Sequence, residues 1–174
     1  LISDEHMKRV ASYNQMVRDD SEPIILYDPD GAEGTLQTTC MWTGNFLRPF
    51  VYECKWGNKR YLKEEVFGPH VAIIPFRDLD EAINIYNDTD YGLSLGVVSN
   101  DFRVHREVVN RCTAGMIYIN GGSIAAESHL PFGGINKSGN CTKSAAGTYR
   151  SVTYEMAVTT NYEEGKVSWA QGMK

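Results

Sequence analysis

The sequence predicts an α/β fold built on a parallel sheet with βαβ crossovers. Short apolar runs alternate with amphipathic helical segments between residues 70 and 120. The apolar runs are continuous, which is typical of strands covered by helices on both faces. The order strand, helix, strand, helix, strand favours right-handed crossovers within one parallel sheet.

The N-terminal third predicts a helix followed by extended structure. Ser3 is a suitable N-cap, and apolar residues at helical spacing continue the helix to near Asp20. Residues 23–27 then predict a short buried strand, which a turn at residues 28–31 closes. β-branched and aromatic residues predict further extended structure within residues 35–54.

The middle of the chain carries the βαβαβ segment. Its strands are predicted at residues 70–76, 93–98 and 114–120. Its helices are predicted at residues 78–87 and 101–112, each with one apolar face. We expect the two helices to cover the sheet through those faces.

The last third changes in composition. Residues 121–147 are rich in Gly, Ser, Asn and Ala, which predicts a long loop followed by a short helix. Residues 152–160 alternate branched with polar side chains and predict an extended strand. A strand after such a loop needs a partner, which in a homo-oligomer comes from another subunit.

The composition excludes several classes of function. The formal net charge is −5 and the pI about 5.4, which gives no attraction for a nucleic acid. No apolar stretch is long enough to cross a bilayer, so we expect no membrane partner. The four cysteines are dispersed, which predicts no metal site and reduced thiols in the cytoplasm or an organelle matrix.

Several motifs, taken in this order, resemble those of the aldehyde dehydrogenase superfamily. They are the stretches at residues 64–69, 74–76, 79–82, 87–89, 91–94, 114–120, 130–134 and 137–139. Each motif alone is weak, but together they span most of the chain. The resemblance implies a partial catalytic domain at residues 1–150. It also implies an oligomerisation strand and tail at residues 151–174, which would join the chain into a homo-oligomer, either a dimer or a tetramer.

The resemblance also implies an activity. Family members oxidise an aldehyde to a carboxylic acid through a cysteine thioester, with NAD or NADP as the cofactor. None of the four cysteines lies in the family's nucleophile context, and the general-base glutamate is missing as well. We therefore expect no catalytic residue here. The chain, which opens at Leu1 without leader character, resembles the C-terminal portion of a longer enzyme and would be inactive alone.

The stretch at residues 64–70 is the candidate cofactor site. By resemblance, Glu65 accepts hydrogen bonds from the nicotinamide ribose and Phe67 lies against the nicotinamide ring. From composition alone, Glu65 would belong to a solvated strand entry and Phe67 to the core. His70 stands where the family usually has an aliphatic residue, and we expect it to be a hydrogen-bonded structural residue.

The loop at residues 120–130 is the candidate substrate anchor. Ala125 and Ala126, together with Glu127, are similar to a stretch of the α-aminoadipic semialdehyde dehydrogenase branch, in which backbone donors hold a substrate carboxylate. The tail around residues 161–172 resembles the same branch. Residues 129–131 differ from that branch, so the sequence does not identify the substrate. The alternative is a surface loop with a capping Glu127.

The sequence also allows other interpretations. Phe132 either lines the substrate tunnel or simply packs in the core. The whole chain could be a non-catalytic protein or fragment that keeps this fold for assembly or binding. An independent small-ligand α/β module is a third possibility, although it does not explain the predicted C-terminal strand.

Overall fold

The computed structural model describes residues 1–31, 44–124, 127–140, 143–160 and 162. The helices are α1 Asp4–Asp19, α2 Arg60–Lys63, α3 Leu79–Asn87, α4 Phe102–Arg111 and α5 Tyr149–Val152. The strands are β1 Ile24–Tyr27, β2 Phe50–Glu53, β3 His70–Ile73, β4 Tyr91–Gly92, β5 Ser94–Val97, β6 Met116–Ile119, β7 Pro131–Phe132, β8 Ile135–Asn136 and β9 Ser144–Ala145.

Helix α1 forms as the sequence predicts. The Ser3 side chain accepts a hydrogen bond from the His6 backbone N–H at 3.1 Å, which satisfies one of the free donors of the first turn. Two acidic residues in that turn favour the positive end of the helix dipole. In the apolar stripe of the helix, Val10 and Val17 are fully buried.

The first sheet has the order β1-β2-β3, with β2 antiparallel to β1 and parallel to β3. Helix α1 covers one face, where Val10 and Val17 share a core with Phe50 and Tyr52. The prediction that residues 23–27 form a buried strand is wrong about burial, because all four residues of β1 are exposed. β1 lies at the edge of the sheet and has only one neighbouring strand among the described residues.

The second parallel pair is β5 and β6, which α4 connects. This confirms the α/β class and one of the two predicted crossovers. Strand β3 pairs with β2 and not with β5, so the described strands do not form one continuous parallel sheet. β3 also ends at Ile73 and not at residue 76, because Pro75 has no backbone N–H to donate to a neighbouring strand.

The last third contains more strand than the sequence predicts. Within the stretch predicted as loop, β7 pairs with β9, and β8 pairs with β4. A close backbone approach anchors these short pairs: a Cβ on Gly115 would lie 1.9 Å from the Gly133 carbonyl oxygen, so only glycine fits there. The predicted short helix is α5.

The predicted C-terminal strand is not present in the single chain. Val152 ends α5, and residues 153–160 take no regular structure and are exposed throughout. Because the proposed partner strand belongs to another subunit, the oligomerisation role of residues 151–174 stays a prediction. The predicted extended region is confirmed by β2, while residues 35–43 lie outside the described residues.

Candidate functional site

The candidate cofactor site is the loop of residues 64–70, which joins α2 to β3. Its side chains alternate in direction. Val66 is buried in the core, whereas Glu65 is exposed and Phe67 is 68% exposed. Phe67 is therefore not a core residue of the described structure, and the loop presents its carboxylate and its aromatic ring outwards.

The two neighbouring glutamates have different surroundings. The Glu64 carboxylate accepts hydrogen bonds from Arg60 at 2.8 and 2.9 Å and a further one from the Tyr13 hydroxyl. The bonds from Arg60, and then the one from Tyr13, lower the pKa of Glu64 to about 2. The Glu65 carboxylate has no partner within the described residues. The Glu64 carboxylate therefore has a structural role, whereas the Glu65 carboxylate is available to bind a ligand.

The backbone of the loop is held by α1. The Arg9 guanidinium donates to the Glu65 carbonyl oxygen at 2.7 Å. Gly68 lies so close to α1 that an added Cβ would be 2.7 Å from both Cγ atoms of Val10. One turn earlier on the helix, the His6 ring lies 5.8 Å from the Phe67 ring. Side chains at helical spacing along α1 therefore contact successive residues of the loop.

Phe67 itself has an unfavourable backbone conformation. Its φ of 57° lies in the left-handed region, which costs a residue with a side chain about 1–2 kcal/mol. An exposed ring recovers little of that cost through burial. The contacts of the flanking residues with α1 have to maintain the conformation, and strained positions of this kind are common where a ligand is held.

On the candidate substrate side, Phe132 lies in β7 and is half-buried. It lines a cavity of about 450 Å³ together with Met116, Tyr118 and Leu130. Ala125 and Ala126 lie outside the described residues. The Glu127 carboxylate is 3.7 Å from the His129 ring.

The position of β7 is fixed by an ammonium group. Lys143 donates to the carbonyl oxygens of Gly133 and Gly115, at 2.6 and 3.2 Å. Ser144 adds a side-chain hydrogen bond of 3.2 Å to the Phe132 carbonyl oxygen. The ring of Phe132 thus projects from a backbone that is held from two sides.

The structure does not join the two candidate regions directly. Among the described residues, no hydrogen bond, ion pair or ring contact connects the 64–70 loop to β7. Glu65 and Phe67 share one loop, whereas Phe132 belongs to the separate β7-β9 pair. These three residues remain candidates predicted from the sequence. The support that α1 gives to the loop was not predicted, because its only signal in the sequence is a tyrosine and an asparagine within an apolar stripe.

Neither cysteine in the described part of the chain has the surroundings of a nucleophile. Burial raises the pKa of the Cys54 thiol, and burial also raises that of Cys112, so both remain protonated at neutral pH. Cys40 and Cys141 lie outside the described residues. The described ranges also contain no group of three potential metal ligands and no helix long and apolar enough to cross a membrane.

A model of the aldehyde dehydrogenase family matches residues 1–158. The chain belongs to the aldehyde dehydrogenase family. It is 40% identical over 99 residues to a 2,5-dioxopentanoate dehydrogenase of Saccharolobus solfataricus, which covers 57% of this chain and 21% of that protein. It is 39% identical over 121 residues to a 1-pyrroline-5-carboxylate dehydrogenase of Staphylococcus epidermidis, which covers 67% and 24%.

The fold agrees with this membership. The chain is similar to the structure of a 1-pyrroline-5-carboxylate dehydrogenase from Thermus with bound NAD, with a TM-score of 0.74 and 28% identity. That match covers 87% of this chain and 28% of the Thermus chain. The chain therefore spans about a quarter of the length of the family members it matches.

Proposed function

We propose that this chain is the C-terminal part of an NAD(P)-dependent aldehyde dehydrogenase that oxidises an aldehyde to a carboxylic acid through a cysteine thioester. The observation that carries the proposal is the pairing, on one loop, of an exposed Phe67 ring with a Glu65 carboxylate that has no partner in the part of the chain that the structure describes. The nucleophilic cysteine and the general base would come from outside residues 1–174. The family match supports the proposal, and so does the NAD in the Thermus structure.

Glu65 suits the role of a ribose ligand. A carboxylate accepts several hydrogen bonds, and two neighbouring hydroxyl groups can each donate one to it. Because Arg9 fixes the Glu65 carbonyl oxygen, the side chain extends from a well-positioned backbone. A bound nicotinamide cofactor supplies the acceptor for the hydride that leaves the aldehyde carbon.

Phe67 would limit the position of the nicotinamide ring and exclude water from one side of it. An aromatic face is suited to this, because it packs against a planar ring and offers no hydrogen bond to water. The exposure of Phe67 in the chain and its unfavourable φ both fit a side chain that is held ready for a ligand.

The substrate would enter on the side of Phe132. The cavity beside it has an aromatic and aliphatic wall, suited to the carbon chain of an aldehyde. The names of the two bacterial and archaeal relatives above describe substrates that carry a carboxylate. We extend this to the present chain, in which backbone N–H groups near Ala125 and Ala126 would hold the acid group of such a substrate.

The C-terminal segment would assemble the protein. Its exposed apolar side chains alternate along the chain, at Val152, Tyr154, Met156 and Val158. Alternation places them on one face of an extended strand. We propose that this strand joins another subunit in a dimer or tetramer.

The test is an assay of the full-length protein with NAD and with NADP. A panel of aldehydes, some with a carboxylate and some without, would be followed by the absorbance of the reduced nicotinamide. We expect aldehyde-dependent reduction, fastest with the acid-bearing aldehydes. A folded full-length protein that reduces neither cofactor with any aldehyde would refute the enzymatic proposal and favour the non-catalytic alternative.

A further inference from the structure

We propose that His70, acting with Asn14 and Tyr52, is a positioning residue for the 64–70 loop. Its ring connects α1 to β2 at the point where the loop enters β3, and so fixes where the helix lies against the loop. The consequence for catalysis rests on the function proposed above. The structural consequence does not, and the two can be tested separately.

Both ring nitrogens of His70 are used. Nδ1 lies 2.8 Å from the Asn14 Oδ1 atom, and Nε2 lies 3.1 Å from the Tyr52 hydroxyl. An amide oxygen only accepts hydrogen bonds, so Nδ1 carries the proton. The Tyr52 hydroxyl has one proton, which it shares between two acceptors, the neutral Nε2 and the Tyr61 carbonyl oxygen 3.3 Å away. The ring also stacks on Phe50, with centroids 5.7 Å apart and an angle of 15° between the planes. The ring therefore contacts Asn14, Tyr52 and Phe50 in a single orientation.

These polar groups lie within an otherwise apolar core. Asn14 is 4% exposed and is the one buried polar residue of the described ranges, and Tyr52 is fully buried. Apolar contacts have no preferred direction, so a helix packed only through Val10 and Val17 could shift along the sheet at little cost. A shift that separated Asn14 from His70 would leave buried polar groups unpaired, which is far more costly. The Asn14–His70 contact thus helps to select one position of α1, together with the hydrogen bonds of Arg9 and Tyr13 to the loop.

That position matters because α1 holds the loop. Asn14 lies one helical turn beyond Val10, the residue against which Gly68 packs. Gly68 in turn accepts a hydrogen bond from the His70 N–H, and Pro69 accepts one from the Phe50 N–H, both at 2.8 Å. The loop is therefore held between α1 and β2, the two elements that His70 joins. Burial lowers the pKa of His70 to about 4, so the ring stays neutral at physiological pH.

The experiment compares hydrogen–deuterium exchange in the full-length protein and its variants. The reporters are the backbone N–H groups of Phe50 and of position 70, which donate to the loop carbonyls, and the N–H of Met116 in β6 is the reference. We expect His70→Leu to speed exchange at both reporters roughly tenfold or more relative to Met116. The control is Val108→Ala, which weakens the core beside α4 and β5, and it should not speed exchange at the two reporters.

A triple variant separates positioning from stability. Asn14→Leu, Tyr52→Phe and His70→Leu together remove all three polar side chains and leave unpaired only the Tyr61 carbonyl oxygen, which lies 3.3 Å from the Tyr52 hydroxyl, so we expect the thermal midpoint to recover in part relative to His70→Leu alone. The reporters should nevertheless still exchange faster than in the wild type, because the Arg9 and Tyr13 hydrogen bonds that remain fix α1 less firmly than they do together with the Asn14–His70 contact. Slow exchange in the triple variant, or in His70→Leu itself, would overturn the proposal.

The catalytic arm uses the same His70→Leu variant. We expect its KM for the nicotinamide cofactor to rise roughly tenfold while its KM for the aldehyde changes little, because the loop faces the cofactor side. An equal increase in the KM for the cofactor and the KM for the aldehyde would overturn the positioning role in catalysis. If the wild-type protein oxidises no aldehyde but the exchange results hold, the proposed function fails and the structural role of His70 stands.

Discussion

Replacing Glu65 by glutamine isolates the charge that is proposed to bind the ribose. The substitution keeps the size and shape of the side chain. It also leaves intact the hydrogen bond from Arg9 to the backbone carbonyl oxygen of residue 65. Because the Glu65 carboxylate has no partner within the described residues, we expect the thermal midpoint of Glu65→Gln to equal that of the wild type. The whole effect should therefore appear in cofactor use.

The size of that effect follows from the number of hydrogen bonds. A hydrogen bond to a charged group contributes about 1.5–3 kcal/mol and a neutral one about 0.5–1.5 kcal/mol. Losing the charge at two ribose hydroxyls would thus cost about 2–3 kcal/mol in total. This corresponds to a fall of roughly 30- to 150-fold in kcat/KM for the cofactor.

The assay is steady-state oxidation of the best aldehyde by the full-length protein at varied NAD or NADP. Glu107→Gln is a matched control, since Glu107 lies on α4, away from the loop, and within the described ranges its carboxylate contacts just the Arg111 guanidinium, at 3.5 Å. We expect the control to keep wild-type kinetics. Wild-type kinetics in Glu65→Gln as well would remove Glu65 from the cofactor site.

Three further results are expected. Phe67→Gly should lower kcat/KM for the cofactor but leave the free energy of unfolding within about 1 kcal/mol of wild type, since glycine relieves the left-handed strain; a large loss of stability would show that the ring has a structural role. The folded-state pKa of Glu64 lies near 2, below its ordinary 4.5, so its contacts with Arg60 and Tyr13 stabilise the fold above pH 4.5 and are lost as the pH falls towards 2. Thermal melts of Glu64→Gln should therefore fall less steeply than wild type in that window, and parallel curves would contradict the assignment. Deleting residues 152–174 should lower the oligomeric state in light scattering, and an unchanged mass per particle would refute the assembly role.

Helices α1, α3 and α4 were predictable because their signals are local, whereas the single turn α2 was not predicted. Ser3, Asp78 and Asp101 each accept a hydrogen bond from a backbone N–H in the first turn that follows, as expected of N-caps. Apolar spacing then gave the faces that they bury. The pairing of the strands was less predictable, because β2 and β5 are both plausible neighbours of β3, and tertiary packing decides between them. For the same reason, an apolar strand such as β1 does not reveal that it lies at an exposed edge.

The candidate site, too, was only partly predictable from the sequence. Motif order predicts Glu65 and Phe67 as candidates. The structure adds the distinction between Glu65 and its neighbour Glu64, which depends on the distant Tyr13. The support that α1 gives to the loop joins residues more than fifty positions apart. No local pattern encodes such contacts. The hydrogen-bonded, structural character expected of His70 agrees with its contacts, but its partner Asn14 could only be found in three dimensions.

The most direct measurement of the central claim is a crystal structure of the full-length protein with NAD or NADP bound. We predict the oxygen atoms of the Glu65 carboxylate within about 3.2 Å of both hydroxyl groups of the nicotinamide ribose, and the Phe67 ring in contact with the nicotinamide. A structure in which Glu65 pairs with a basic residue from the rest of the protein, and Phe67 packs into its core away from the cofactor, would contradict the account.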